Sequence, residues 1–348
     1  MKLGITCFTA RGAALCRRLF HSLKGEGEDV GAWIPRPFLL PNWQEEGMEV
    51  REEGAAQWAK GMFAEKRGMI FVGAAGIAVR AIAPWLRDKM TDPPVVVMDE
   101  AGRFAIPLLS GHVGGANELA CRLAAFTGAE PVITTATDVN QVFAVDKFAV
   151  EHGLVITDRE EAKAISAALL AGEEVGYFDD RAAGGAGKGL PPGCVPYPRR
   201  HNIWITARAN VSLKALRLIP RRLVLGVGCR RGTDPKALLG RIREIFHREN
   251  LDLAGVKAVA TIDCKREEEA ICRLAEVLDC KLRFYSAGEL GQVEGHFSES
   301  GFVQKTVGVG NVCERAACAG GGRLILGKQA GEGITAAIAA DDEAAAGD

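Results

Sequence analysis

A serine and a histidine stand among glycines in the stretch IPLLSGHVGGANELACRL, which runs from Ile106 to Leu123. The stretch begins with the apolar pattern of a strand and ends with the pattern of an amphipathic helix. Ser110 can donate or accept a hydrogen bond, and His112 titrates near neutral pH. A catalytic base needs such a group, so His112 is a candidate base in this loop.

The backbone of this loop is also suited to a ligand. Its flexible positions are the glycines Gly111, Gly114 and Gly115. Glycines let a chain turn sharply and approach a ligand closely. A helix that starts near Ala116 would present unpaired N–H groups, which attract an anion or a polarised carbonyl. Asn117 and Glu118 fall in its first turn as further candidates. The alternative is a loop whose glycines only fit the packing.

Two other polar turns follow predicted strands. The first is VGAAGIAVRAIAP, from Val72 to Pro84, and its candidate binding residues are Gly73, Gly76 and Arg80. If the sheet is parallel, this turn and the loop around His112 lie at the same edge, where ligands usually bind. The second is PVITTATDVN, from Pro131 to Asn140, and its candidates are Thr135 and Asp138. Glycine packing, and turn or cap residues, explain these two turns equally well.

The second half of the chain contains LGVGCRRGTDP, from Leu225 to Pro235. Its glycine spacing, GxGxxxG after a strand, departs from the GxGxxG of dinucleotide sites, so NADP is a weak match. Arg230 and Arg231 instead favour a ligand that carries carboxylates or phosphates. Cys229 is a thiolate or, as the simpler alternative, a buried inert thiol.

Ser286 and Glu314 complete the candidates for ligand binding. Ser286 follows a predicted strand and is also a candidate helix cap. Glu314 stands early in the helix that follows the turn GVGN, where the helix dipole favours a carboxylate in a cap-type role.

Between Arg199 and Arg231 there are basic residues and no Asp or Glu. Such a run is typical of a solvated face, a nucleic-acid patch or a site for a small polyanion.

The composition narrows the class of protein. The chain has 348 residues, 48% of them hydrophobic, and a formal net charge of −1. That charge gives no general attraction to nucleic acid or membrane. The ten cysteines are scattered without a CxxC pair, so we expect reduced thiols, a cytoplasmic protein and no metal site. We see neither a signal peptide nor an apolar run long enough to cross a bilayer.

Strand-like and helix-like segments alternate along the chain, which predicts an α/β fold with mainly parallel sheets. We expect two αβ domains joined by a less regular middle segment. The predicted boundaries are an N-terminal domain at 1–140, a middle region and linker at 141–220, a C-terminal domain at 221–339 and a disordered tail at 340–348.

The stretch from Val72 to Asn140 resembles the cobalt-precorrin-5A hydrolase family of anaerobic cobalamin biosynthesis almost continuously. LGVGCRRGTDP, SAGEL (Ser286–Leu290) and GVGNVCERAA are similar to that family's C-terminal domain. The resemblance implies an enzyme that opens the δ-lactone of cobalt-precorrin-5A, releases acetaldehyde and yields cobalt-precorrin-5B. It implies no cofactor, because the substrate carries the cobalt. The implied partner is this polycarboxylate tetrapyrrole, with other enzymes of the pathway left open.

Within this hypothesis, His112 is the base and backbone N–H groups around Gly114–Asn117 stabilise the oxyanion. Ser110 or Glu118 orients water or shuttles a proton. The remaining candidates, expected to bind substrate, are Gly73, Gly76, Arg80, Gly111, Gly114, Gly115, Asn117, Thr135, Asp138, Arg230, Arg231, Ser286 and Glu314. Two other functions stay open: a non-catalytic protein that binds or transfers corrinoid intermediates, and an NADP-dependent oxidoreductase built on Leu225–Pro235.

Overall fold

A computed structural model describes residues 1–88, 91–181, 189–299, 301, 304 and 308–341. The chain forms two compact units, Met1–Lys147 and Phe148–Asp348. Each contains helices packed on mainly parallel sheets, which confirms the predicted α/β class. Among the described residues, no helix combines the length and the apolar character that a membrane span requires.

The first unit is built on a seven-stranded sheet of order β3-β2-β1-β4-β5-β6-β7. Its strands are β1 (Lys2–Cys7), β2 (Asp29–Pro35), β3 (Glu49–Arg51), β4 (Gly68–Val72), β5 (Val95–Met98), β6 (Phe104–Leu109) and β7 (Glu130–Pro131). The helices in this part of the chain are α1 (Ala10–Gly25), α2 (Pro41–Glu45), α3 (Ala55–Ala64), α4 (Ala75–Ile82), α5 (Ala116–Thr127), α6 (Ala136–Val139) and α7 (Val145–Glu151).

Apolar side chains cover both faces of this sheet. On one face, α1 and α5 bury Phe20 and Leu123 against strand residues such as Ile5. On the other face, Trp58 and Ile82 of α3 and α4 pack against β4 and β5. Strands buried on both faces are the expected core of a parallel sheet with helices on either side.

Strand β6 runs antiparallel to β5, which changes where the loop around His112 lies relative to the turn after Val72. In the parallel pair β4–β5, Val72 is opposite Met98, whereas in the antiparallel pair β5–β6, Leu109 is opposite Val95. The turn after Val72 and the loop after Leu109 therefore lie at opposite edges of the sheet, separated by a strand length of about 16 Å. The expectation that they share one edge is wrong.

The second unit contains two five-stranded sheets, of order β10-β9-β11-β12-β8 and β15-β14-β13-β17-β16. The strands of the first are β8 (Leu154–Ile156), β9 (Val175–Asp179), β10 (Cys194–Val195), β11 (Asn202–Ile205) and β12 (Leu216–Pro220). Those of the second are β13 (Leu223–Cys229), β14 (Val256–Ile262), β15 (Lys281–Tyr285), β16 (Arg323–Gly331) and β17 (Ile334–Ala340). Its helices are α8 (Arg159–Leu170), α9 (Pro235–Arg248), α10 (Glu269–Val277), α11 (Ala287–Gln292) and α12 (Cys313–Cys318).

The middle region is thus more regular than predicted, since it forms a sheet of its own. Its strands are short, and its β8 pairs antiparallel with β12 across a long stretch of sequence. In the predicted tail, Ala340 ends β17 and the backbone N–H of Asp341 donates to Arg222, while 342–348 lie outside the described residues.

Gly226 in β13 allows helix α12 to lie directly on the second sheet. A Cβ atom at this position would overlap the carbonyl oxygen of Cys313 and lie 2.8 Å from the backbone nitrogen of Ala317. The first glycine of the GxGxxxG pattern therefore serves helix packing, so it is not available to a dinucleotide phosphate.

Replacement of this glycine by alanine tests the close approach. Gly226→Ala forces α12 away from β13, and we expect the free energy of unfolding to fall by about 1–3 kcal/mol or more. The control is Gly240→Ala in α9, where an added Cβ meets nothing within 4 Å and should stabilise the helix by about 0.5–1 kcal/mol. Urea unfolding of both variants measures the difference. A wild-type midpoint for Gly226→Ala would show that α12 packs less closely.

Candidate active site

The loop between β6 and α5 has a strained backbone that places His112. Ser110 has a φ of 55° and Gly115 a φ of 82°, both in the left-handed region. A Cβ at Gly111 would lie 2.7 Å from Oδ1 of Asn117, and one at Gly114 would lie 2.9 Å from the carbonyl oxygen of Ser110. Gly114 therefore has no room for a side chain against the backbone, whereas a side chain at Gly111 would displace the amide of Asn117.

This tight fold engages the N–H groups at the start of α5. The N–H of Gly115 donates to the carbonyl oxygen of His112, that of Ala116 to Ser110 and that of Asn117 to Gly111. Donors that are already paired inside the loop cannot also stabilise an oxyanion. The expectation of unpaired N–H groups at this helix start is wrong for these three positions.

The imidazole of His112 lies between two aspartates. Its Nε2 atom is 2.8 Å from Oδ2 of Asp138, and its Nδ1 atom is 3.4 Å from Oδ1 of Asp146. The histidine side chain is only 10% exposed. Acceptors on both sides of the ring favour the form in which both nitrogens carry a proton.

The surroundings raise the pKa of His112 above its usual range. The hydrogen bond with Asp146 is the main cause, burial of the ring opposes it, and the hydrogen bond with Asp138 raises the pKa further. A raised pKa means that the ring is an imidazolium over more of the neutral range. A raised pKa favours a ring that begins as a proton donor, whereas the sequence suggested one that begins as a free base; the assignment of His112 as the base stays a prediction.

Hydrogen bonds from α5 hold the aspartate in place. Nδ2 of Asn117 donates to Oδ2 of Asp138 at 2.8 Å and to Oγ1 of Thr135 at 3.1 Å. Oγ1 of Thr137 lies 3.3 Å from Nε2 of His112. The structure thus brings together four of the predicted residues, His112, Asn117, Thr135 and Asp138.

Sequence reasoning missed Thr137 and Asp146. Asp146 falls in the first turn of α7, inside the region predicted as the variable middle segment. Its signal is weak, because an acidic residue near a helix start is common in any sequence. Within the described residues no group of His, Cys, Asp and Glu has the arrangement of a metal site.

Among the described residues, Ser110 and Glu118, the other predicted catalytic residues, form no hydrogen bond with the ring of His112. Oγ of Ser110 donates to the carbonyl oxygen of Asp92 at 2.8 Å, which stabilises the loop. Glu118 is exposed on α5.

The turn after β4 lies at the opposite ends of the strands from His112. Gly73 precedes α4, Gly76 lies in its first turn, and Arg80 is exposed and donates a hydrogen bond to the carbonyl oxygen of Gly76 at 3.5 Å.

Arg230 and Arg231 line a cavity of about 1070 Å³ in the second unit. Most other members of the basic run pair with acids elsewhere in the sequence. Arg199 lies 2.6 Å from Glu174, Arg208 lies 3.6 Å from Asp180, and Arg217 lies 2.8 Å from Asp252. The run therefore does not form one continuous anion-binding patch.

The side chains of Ser286 and Glu314 form hydrogen bonds within the protein. Ser286 caps α11 in a capping box with Glu289. The buried carboxylate of Glu314 accepts hydrogen bonds from Ser298, from Asn311 at 2.7 Å and from the backbone N–H of Lys328 at 2.6 Å. These contacts use both oxygens of Glu314, so the prediction that it binds substrate directly disagrees with the structure.

Family models match three successive parts of the chain. Residues 57–138 match "Cobalamin synthesis G N-terminal", 143–220 match "Cobalamin biosynthesis central region" and 223–339 match "Cobalamin synthesis G C-terminus". The chain is also similar to the crystal structure of CobE, a protein from the cobalamin (vitamin B12) biosynthetic pathway. The two are 30% identical over 35% of this chain and 92% of CobE, with a TM-score of 0.33.

Two relatives are similar over almost the full length. A cobalt-precorrin-5A hydrolase from Salmonella typhimurium is 36% identical over 90% of this chain and 90% of its own. A cobalt-precorrin-5A hydrolase from Priestia megaterium is 29% identical over 96% of this chain and 94% of its own. Similarity of this extent, across all three matched regions, shows that the chain belongs to the cobalt-precorrin-5A hydrolase family.

Proposed function

We propose that this protein hydrolyses cobalt-precorrin-5A, opening its δ-lactone and releasing acetaldehyde to give cobalt-precorrin-5B. The observation that carries the proposal is the imidazole of His112 between Asp138 and Asp146. Lactone hydrolysis needs a group that accepts a proton from water and a group that gives one to the leaving oxygen. A histidine with two carboxylates supplies both kinds of group within a few ångströms.

In the first step, water attacks the lactone carbonyl and the ester C–O bond breaks. The contact between His112 and Asp146 is the longer of the two, at 3.4 Å, and we assign substrate and water to this side of the ring. Asp146 accepts the proton of the attacking water. The Nδ1–H of His112 donates to the leaving oxygen, which becomes a hydroxyl group, and the imidazole is then neutral.

In the second step, a carbon–carbon bond breaks. Neutral His112 takes the proton back from the new hydroxyl group, whose electron pair forms the C=O bond of acetaldehyde. The electrons of the broken carbon–carbon bond pass to the macrocycle, which is then protonated by solvent. His112 returns to the imidazolium form with which it began. Asp146 gives the proton of the attacking water to solvent and is again a carboxylate, so both groups are restored.

Asp138 is a positioning residue in this mechanism. Its Oδ2 accepts from both His112 and Asn117 at 2.8 Å, which fixes the ring so that Nδ1 faces the reaction.

Oδ1 of Asn117 is buried and has no hydrogen-bond partner among the described residues. Unpaired buried acceptors are rare in native proteins, which supports a donor from substrate or water at this position.

The oxidoreductase alternative has no support in the second unit. Helix α12 covers Gly226, and the carboxylate of Asp234 caps the N-terminus of α9 at Lys236 and Ala237. A carboxylate at that position repels the phosphates that a dinucleotide would place there. The non-catalytic alternative differs from the proposal in a single observable, which is acetaldehyde release.

Removal of the imidazole tests the catalytic role. We expect His112→Gln to lower acetaldehyde release from cobalt-precorrin-5A by about a hundredfold or more, because acid–base catalysis is lost. The matched control is His247→Gln, an exposed histidine of α9, which should keep wild-type turnover. Wild-type rates for His112→Gln would remove His112 from the mechanism. No acetaldehyde from the wild-type protein would favour the binding or transfer function.

Removal of the Asp138 carboxylate tests the protonation state of the His112 ring. Because Asp138 helps to raise the pKa of His112, Asp138→Asn should lower it by about one unit. The reaction needs the imidazolium, so activity falls as pH rises through this pKa. The alkaline limb of kcat/KM should therefore move to lower pH in the variant. Asp29→Asn, which removes an exposed carboxylate beside Arg67, should leave the limb in place. An unchanged limb in Asp138→Asn would contradict the assignment.

A further inference from the structure

A large cavity in the second unit is lined by residues that hydrogen-bond to one another, and it has no assigned ligand. It encloses about 1070 Å³ at the ends of β13 and β14, beside the hairpin of β16 and β17. Ile262, Val312 and Ile334 form apolar parts of its lining. Its size is at the upper end of ordinary ligand pockets, which suits a ligand larger than a single ring.

Most polar groups in the wall already have partners within the protein. Oγ1 of Thr261 donates to Val227 at 2.7 Å, and Oγ1 of Thr335 donates to Gly228 at 3.2 Å. Glu268 is buried and accepts from Gly232 at 2.9 Å and from Lys265 at 3.1 Å. These groups hold the wall together and leave few donors for a ligand.

Three cations in the lining lack such partners. In the part of the chain that the structure describes, no carboxylate forms an ion pair with Arg230, Arg231 or Lys328. They come from two separate elements, the turn after β13 and the strand β16. The backbone N–H of Lys328 is fixed by Glu314 at 2.6 Å. The exposed Glu267 and Glu332 also belong to the lining.

This arrangement favours several separate carboxylates over one phosphate. A compact phosphate prefers convergent N–H groups at a helix start, and at α9 the carboxylate of Asp234 already occupies that position. Cations on separate elements can reach anionic groups at the edge of a rigid body, while the apolar lining contacts the body itself.

We propose that this cavity binds the tetrapyrrole through its peripheral carboxylates, with Arg230, Arg231 and Lys328 as their partners. The identity of the macrocycle rests on the proposed function, whereas the anionic character of the ligand rests on the cavity. Glu267 and Glu332 determine the orientation of the bound ligand, because they repel a carboxylate that is placed next to them.

Direct binding to the full chain tests the proposal. The probe is uroporphyrin I, a tetrapyrrole with acetate and propionate carboxylates and no lactone, titrated by absorbance. We expect the triple variant Arg230→Gln/Arg231→Gln/Lys328→Gln to raise its Kd by about tenfold or more, since the charge-assisted contacts are lost. Glu332→Gln should lower the Kd, because it removes a like charge. The control Arg243→Gln, an exposed change on α9, should keep the wild-type Kd.

Two results would overturn the proposal: a triple variant that binds uroporphyrin as tightly as wild type, or a wild-type protein that binds NADP and not uroporphyrin. Arg231→Gln alone, at an exposed position, should weaken binding in the same direction and serves if the triple variant does not fold. Acetaldehyde release by the wild-type protein is measured in parallel. Its absence counts against the proposed reaction, whereas unchanged uroporphyrin binding in the variants counts against the cavity.

Discussion

An imidazolium held between two carboxylates is the interaction on which the candidate active site depends. A charge that is largely removed from solvent is costly unless it is paired and hydrogen-bonded, and Asp138 and Asp146 meet that condition for His112 from both sides of the ring. The same pairing raises the pKa of the ring. One arrangement therefore holds the loop in place and favours the protonated ring with which the proposed reaction begins.

The reversal of β6 is what allows this arrangement. Because β6 is antiparallel to β5, the loop that carries His112 emerges at the edge where the parallel strands begin, away from the usual ligand crevice of such sheets. The loop then folds onto the start of α5 and uses its N–H groups internally. In the proposed mechanism, the Nδ1–H of His112 and not these backbone groups therefore meets the charge that develops on the leaving oxygen.

Much of the fold could be predicted from local patterns. The apolar runs that became β1, β4, β5, β13 and β14 are visible in the sequence, and so is the loop that carries His112. The antiparallel direction of β6 was missed, although it is readable: only five residues separate Met98 from Phe104, and a parallel neighbour needs a crossover of about a dozen residues or more. The middle sheet was missed because its strands are only two to five residues long.

The candidate site was predicted in part for a similar reason. Types and spacing pointed to His112, Asn117 and Asp138, since each follows a strand and carries an obvious polar group. Asp146 stands eight positions after Asp138 and reaches His112 only through the path of the chain between them. The packing role of Gly226 could not be predicted, because a glycine that admits a helix and one that admits a phosphate look identical in sequence.

The protonation state of His112 is the central claim, and it can be measured directly. Nitrogen NMR of the ring, assigned by comparison with His112→Gln, reports whether each nitrogen carries a proton. The account predicts that both ring nitrogens of His112 are protonated at about pH 7, above the usual histidine pKa of about 6.5. A neutral ring with one protonated nitrogen at that pH would contradict it.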